Sequence, residues 1–301
     1  LLMRRLLLTT MLLQTGCFRG LFSEAPRYLA TEYVVDRPKI VALKAGPIEM
    51  ISGAPTTFDA LLIAPKDASI QSWSVSVCGL DPTMDTPTYI WDLLCFEKQD
   101  AVRPLFQSAN LPHTFAVPTF PEIDCNDDNY RPMDTGLTED TGWWEEGYGE
   151  STCSHHLPLM VEAIVDDSPV YAAAFSYWYP TVPYHLRRNT PIAEAGIGLR
   201  TVESAIAGTE VTLEVSLAAD ARDASFQWYI DAGKLVDTGI TSARTYLEPS
   251  DEQPYAQTTS NNRLIIPTEY EGPLRIWVVA HKPWGHDLDM TWTSVTIEVT
   301  P

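Results

Sequence analysis

One pattern of residues occurs twice in this chain, and it limits the fold more than any other feature. In the first half, Ile51-Ser52-Gly53 leads into Thr56-Thr57-Phe58, then Asp67-Ala68-Ser69-Ile70-Gln71 and Trp73. In the second, Ile206-Ala207-Gly208 leads into Val211-Thr212-Leu213, then Asp223-Ala224-Ser225-Phe226-Gln227 and Trp228. Glycine and tryptophan stand twenty residues apart in both. A structural unit used twice leaves this kind of self-similarity. Each copy reads as a turn glycine, a strand, a loop, and a second strand that buries its tryptophan.

The residues around the second copy alternate with the period of half-buried strands. Val211, Leu213, Val215 and Leu217 alternate with Thr212, Glu214 and Ser216; Phe226, Trp228 and Ile230 alternate with Gln227, Tyr229 and Asp231. Leu274, Ile276, Val278 and Ala280 form a third apolar face, and Val295, Ile297 and Val299 a fourth. Met290 and Trp292 fall out of phase with Val295, so a β-bulge near Thr293 or Ser294 is predicted. No long stretch shows a helical period. The expected fold is all-β, two tandem immunoglobulin-like sandwiches, each repeat supplying the B-to-C portion of one.

In the first half Val41 and Leu43 open the pattern, and Trp73, Val75 and Val77 alternate with serines. Leu159 to Val165 and Val170 to Tyr177 read as a hairpin across Asp166-Asp167-Ser168-Pro169, residues that favour turns. The expected division is a signal peptide at 1–17, a tether at 18–36, and a first sandwich at 37–180 carrying an insertion at 79–153. A proline-bearing linker at 181–196 and a second sandwich at 197–301 complete it.

The N-terminal segment has Arg4-Arg5 followed by apolar Leu6 to Leu13, too short to span a bilayer and typical of an export signal. The residues Leu13-Gln14-Thr15-Gly16-Cys17 resemble the lipobox of bacterial lipoproteins, with leucine four rather than three positions before the cysteine. That resemblance implies cleavage before Cys17, acylation of Cys17, and, with Phe18 following, release to the outer membrane. With the tether and the Trp73-to-Cys78 strand, the chain resembles uncharacterised Gram-negative surface lipoproteins with immunoglobulin-like modules. This implies a lipid-anchored protein of the cell envelope, facing the periplasm or the cell surface.

Cys78, Cys95, Cys125 and Cys153 remain, an even number that reads in an exported chain as two disulfides. Of three possible pairings, Cys78 with Cys95 and Cys125 with Cys153 would staple each part of the insertion locally.

The chain carries 40 acidic against 20 basic residues, a net charge of −20. That balance disfavours nucleic acid as a partner. Residues 122–150 hold ten acidic side chains against Arg131. Asp124, Asn126 and Asp128 are spaced like the first ligands of a calcium loop, with Asp127 and Asp134 as further oxygens. Asn129 replaces the turn glycine and Thr135 the closing glutamate, so the region reads first as a solvated acidic loop and second as a non-EF calcium site. Trp143, Trp144 and Tyr148 interrupt the acidity. With Trp284 they are the candidate contacts for a protein partner or a glycan. His155, His156, His281, His286, Asp287 and Asp289 read as surface polar residues rather than a zinc site. No nucleophile elbow, zincin motif or phosphate-binding glycine loop is present, so no catalytic residue and no obligatory cofactor is expected. The function predicted is an anchored binding or structural protein. The alternatives are a carbohydrate-binding module and a calcium-dependent adhesion module.

Overall fold

The computed structural model describes residues 33–66, 68–77, 102–120, 155–179, 191–250, 256–282 and 287–301. In the first half, β1 (Lys39–Gly46), β3 (Pro55–Ile63) and β6 (His113–Ala116) form one sheet. The facing sheet contains β2 (Glu49–Ile51), β4 (Ile70–Val77), β5 (Arg103–Ser108), β7 (His155–Val165) and β8 (Ser168–Tyr179), in the order β2-β8-β7-β4-β5. A single helical turn, α1 (Pro191–Glu194), opens the second half. Its strands are β9 (Ile197–Arg200), β10 (Ser204–Ile206), β11 (Glu210–Leu217), β12 (Ser225–Ile230) and β13 (Lys234–Leu235). They continue with β14 (Ile240–Ser242), β15 (Thr245–Leu247), β16 (Gln257–Ile265), β17 (Gly272–His281) and β18 (Thr291–Thr300). The two sheets run β10-β18-β17-β12-β14 and β13-β16-β11-β9, with β15 also paired to β16.

The repeat in sequence is a repeat in topology. In each half the opening strand pairs antiparallel with the strand after next, β1 with β3 and β9 with β11. The chain then crosses to the facing sheet, where β2 lies parallel to β8 and β10 parallel to β18. Gly53 and Gly208 make the return. The Ala54 N–H donates to the Ile51 carbonyl at 2.9 Å and the Thr209 N–H to the Ile206 carbonyl at 3.2 Å. With φ of 76° and 80° at the glycines, both are type II turns, which require positive φ at the third position. Trp73 and Trp228 are both buried, and the Trp228 indole N–H donates to Thr241 Oγ1 at 2.8 Å.

Four sheets therefore stack with three apolar layers between them. One layer joins the two first-half sheets through Leu43, Phe58, Trp73, Val161 and Trp178. Another joins the two second-half sheets through Leu213, Phe226, Trp228, Ile276 and Ile297. The middle layer joins the halves: Val35, Val41, Ala42 and Ile63 meet Tyr229, Trp277, Val279 and Met290, with Leu61 and Trp292 packed alongside. Arg275 clamps its edge, pairing with both Asp231 carboxylate oxygens at 2.8 and 2.9 Å and donating to the Ala64 carbonyl at 2.8 Å.

This middle layer explains several departures from the sequence reading. Met290 and Trp292 are out of phase because they pack on the first half. The β17–β18 register runs unbroken from Gly272↔Val299 to Ala280↔Thr291, without the predicted bulge. A shift lies instead in β1, between Ile40 and Ala42. Adjacent Val41 and Ala42 thus both serve the middle layer, while Ile40, Leu43 and Ala45 serve the first-half core, so Val41 and Leu43 do not share a face. His281 and Asp289 are buried, not surface groups. Asp289 Oδ1 accepts the Ala193 N–H at 3.1 Å, and the Asp289 backbone bridges to Lys44.

Stretches read as connectors also carry structure. Tyr33 and Val35 bond the backbone of Ile230 at 2.9 Å each, so the tether reading ends inside the fold. Ile192 and Ala193, read as linker, are buried against the second half. Within the stretch read as insertion, β5 pairs with β4 and β6 with β3, and Phe106, Phe115, Val117 and Phe120 enter the core. The β7–β8 hairpin is tighter than expected, a two-residue loop with φ of 49° at Asp166 and 61° at Asp167, as a type I′ turn demands.

Among the described residues a Cβ at Gly53 meets nothing within 4 Å, whereas one at Gly208 would lie 3.0 Å from Thr268 Cγ2. Positive φ alone costs an L-residue roughly 1–2 kcal/mol, so Gly208→Ala is expected to destabilise more than Gly53→Ala, read as urea midpoints. Ala42→Glu would put an unpaired carboxylate into the middle layer, at a cost of about 3 kcal/mol or more. Calorimetry should then show the two halves melting apart. An unchanged midpoint would mean the layer does not couple them.

Candidate functional site

The register of the first half brings its long connections to one end. β4 ends at Val77, opposite Arg103 of β5 and Leu159 near the start of β7. β6 ends at Ala116, opposite Pro55. Both connections, 78–101 and 121–154, therefore leave from the end opposite the Asp166-Asp167 turn. The second of them contains the acidic residues.

The root of the acidic connection is firmly built. The Gly53 N–H donates to the Val117 carbonyl at 2.8 Å and the Val117 N–H to the Ala54 carbonyl at 3.0 Å. Ser52 and Thr119 hydroxyls share a hydrogen bond of 2.8 Å. Phe120 is buried edge-on to Trp178 at 5.5 Å between centroids, and the Trp178 indole N–H donates to the Pro118 carbonyl at 3.3 Å. The repeated glycine turn thus anchors the segment on which the acidic residues hang.

Cys17, Cys78, Cys95, Cys125 and Cys153 lie outside the described residues, as do Asp124, Asn126, Asp127, Asp128, Asp134, Trp143, Trp144, Tyr148 and Trp284. Among the described residues no three His, Cys, Asp or Glu side chains gather as a metal site. Phe120 and Trp178 were not singled out from sequence, though Phe115 and Val117 carry the alternation that would have found β6. On the outer face of the β7-containing sheet, Glu162 lies between Ser74, whose hydroxyl donates to it at 3.0 Å, and Tyr171. Burial, then the Glu162 contact, raises the Tyr171 hydroxyl above its ordinary pKa.

The split first strand, the parallel pairing with the last strand, and the buried tryptophan opposite it define an immunoglobulin-like β-sandwich protein. No family model matches the sequence, and no curated protein matches it. Among solved structures, a Salmonella alpha-2-macroglobulin reacted with methylamine aligns over 88% of this chain and 16% of its own, at 13% identity and a TM-score of 0.25. Red sea bream transglutaminase aligns over 89% and 32% respectively, at 9% identity and TM-score 0.28. The two tandem V-type regions of VCBP3, a v-region-containing chitin binding protein, align over 90% and 98%, at 12% identity and TM-score 0.28. The chain thus spans a third or less of the first two proteins.

The root gives a contrast to test. Phe120→Ala is expected to destabilise the protein by about 3 kcal/mol, the usual range for a buried phenylalanine. Replacing residues 126–150 by a short Gly-Ser linker, with Cys125 and Cys153 kept, should leave the thermal midpoint within a few degrees. A collapse in the second variant would make the acidic segment part of the core.

Proposed function

We propose that this chain is an extracytoplasmic interaction protein made of two tandem immunoglobulin-like modules, lipid-anchored at Cys17 in the outer membrane, without catalytic activity. The observation that supports this most is the end of the first half from which its two long connections leave. A rigid root of Phe120, Trp178 and the Gly53 turn presents a long acidic connection. Loops displayed on a stiff scaffold are a common way to bind a partner. The middle layer adds to that stiffness by tying the halves together. The export signal and lipobox-like residues support the location, and several acyl chains would give stable anchoring. Cys78–Cys95 and Cys125–Cys153 disulfides would hold the two connections near their roots.

Cys17→Ser is the direct test. In cells labelled with a fatty-acid analogue, the native chain is expected in the membrane fraction carrying label, and the variant unlabelled and released. Equal membrane retention of both forms would refute the anchor.

A further inference from the structure

The sheet β13-β16-β11-β9 turns one face to the second-half core and the other outward. On the outward face a hollow of about 230 Å³ is lined by Arg200, Glu214, Ser216, Leu247, Gln257 and Thr259. Its floor comes from small residues in register: Ser216 is the cross-strand partner of both Gly198 and Thr259. A Cβ on Gly198 would sit 3.1 Å from Ser216 Oγ, so the glycine keeps that hydroxyl open. Larger side chains rise around this floor. Arg200 and Glu214 face each other across one pair of strands, and Leu247 and Gln257 across another.

The lining does not satisfy itself. On the same sheet Arg263 and Glu210 bridge at 3.0 Å, and the nearby Arg244 and Asp237 at 2.9 Å. Arg200 and Glu214, though direct cross-strand partners, form no such bridge among the described residues, and the side chains of Ser216, Gln257 and Thr259 make no hydrogen bond there. Five groups that donate, accept or do both therefore converge on one small space, with the half-exposed Leu247 as an apolar lip.

We propose that this hollow is a binding site for one neutral sugar residue of a glycan. One positive and one negative side chain, Arg200 and Glu214, leave the lining without net charge, which favours a neutral ligand. A ligand rich in vicinal hydroxyls can accept from the guanidinium, donate to the carboxylate, and do both with the Ser216, Thr259 and Gln257 groups. Its C–H face would lie on Leu247. This goes beyond the interaction reading and does not depend on the anchor or on the acidic segment. A site holding one ring on an open face is expected to bind with roughly millimolar affinity.

The test is saturation-transfer NMR on the full chain in detergent, with cellobiose, maltose and lactose as separate probes at millimolar concentration. At least one should receive saturation, and Arg200→Ala and Glu214→Ala should each weaken its binding at least tenfold. Gly198→Val, which crowds the floor without touching either charge, should abolish the signal while the chain still unfolds in one cooperative thermal transition. Glycylglycine serves as a zwitterionic control. Saturation of the dipeptide with none on the sugars, no transfer to any sugar, or equal transfer in all three variants would each overturn the assignment.

Discussion

The architecture depends on burying β12 and β17 from both sides. A strand of a two-layer sandwich ordinarily keeps one face for the core and one for water. Here Phe226, Trp228 and Ile230 face the second-half core, while Tyr229 on the opposite face meets the first half, together with Trp277 and Val279 of β17. The arrangement also buries polar atoms. The Gln227 amide and the Tyr229 hydroxyl lie there without a hydrogen-bond partner among the described residues, and burial pushes the Tyr229 hydroxyl well above its ordinary pKa. Each such group carries a desolvation cost, which the aromatic and aliphatic contacts of the layer must offset. Standing alone, the second half would regain water at those groups but would expose Tyr229, Trp277 and Val279 as an apolar face.

From that requirement the local irregularities follow. The β1 bulge turns two neighbouring small apolar side chains toward Tyr229 and Trp277, a thing regular alternation does not allow. The segment before β18 lies against β1, with the Ala45 N–H donating to the Leu288 carbonyl at 3.0 Å, so Leu288 is buried in the first-half core. The inward side of β16 is adapted differently. Thr258, Ser260 and Asn262 are buried yet bonded, Thr258 to the Ala219 carbonyl, Ser260 to the Ser242 carbonyl and Asn262 to the Thr238 carbonyl. These polar side chains pin the end of a neighbouring strand and two loops to the sandwich interior.

Legibility in the sequence followed burial geometry. β11, with one wet face, alternates as written, and Glu214 and Ser216 of the candidate sugar site were readable only as its solvent side. The glycine turns and their tryptophans were readable because positive φ and a large buried ring restrict residue choice. β12 and β17 give a true inner face in their alternation, but their outer face reads as solvent-facing because a second partner leaves no period of its own. β5 and β6, at six and four residues, were too short for alternation to stand out between two long connections. The cavity lining comes from four separate strands, and no spacing along the chain announces it.

The seat of Tyr33, Val34 and Val35 lies on Ile230, far along the chain from them. When the polypeptide emerges from its N-terminus, β1 and its neighbours can pair long before that seat has been synthesised. The segment leading into the fold therefore settles only after the second sandwich has formed. Once docked, it also sets where force enters: tension applied upstream of Tyr33 meets the backbone of β12 in the second half before it reaches β1 of the first.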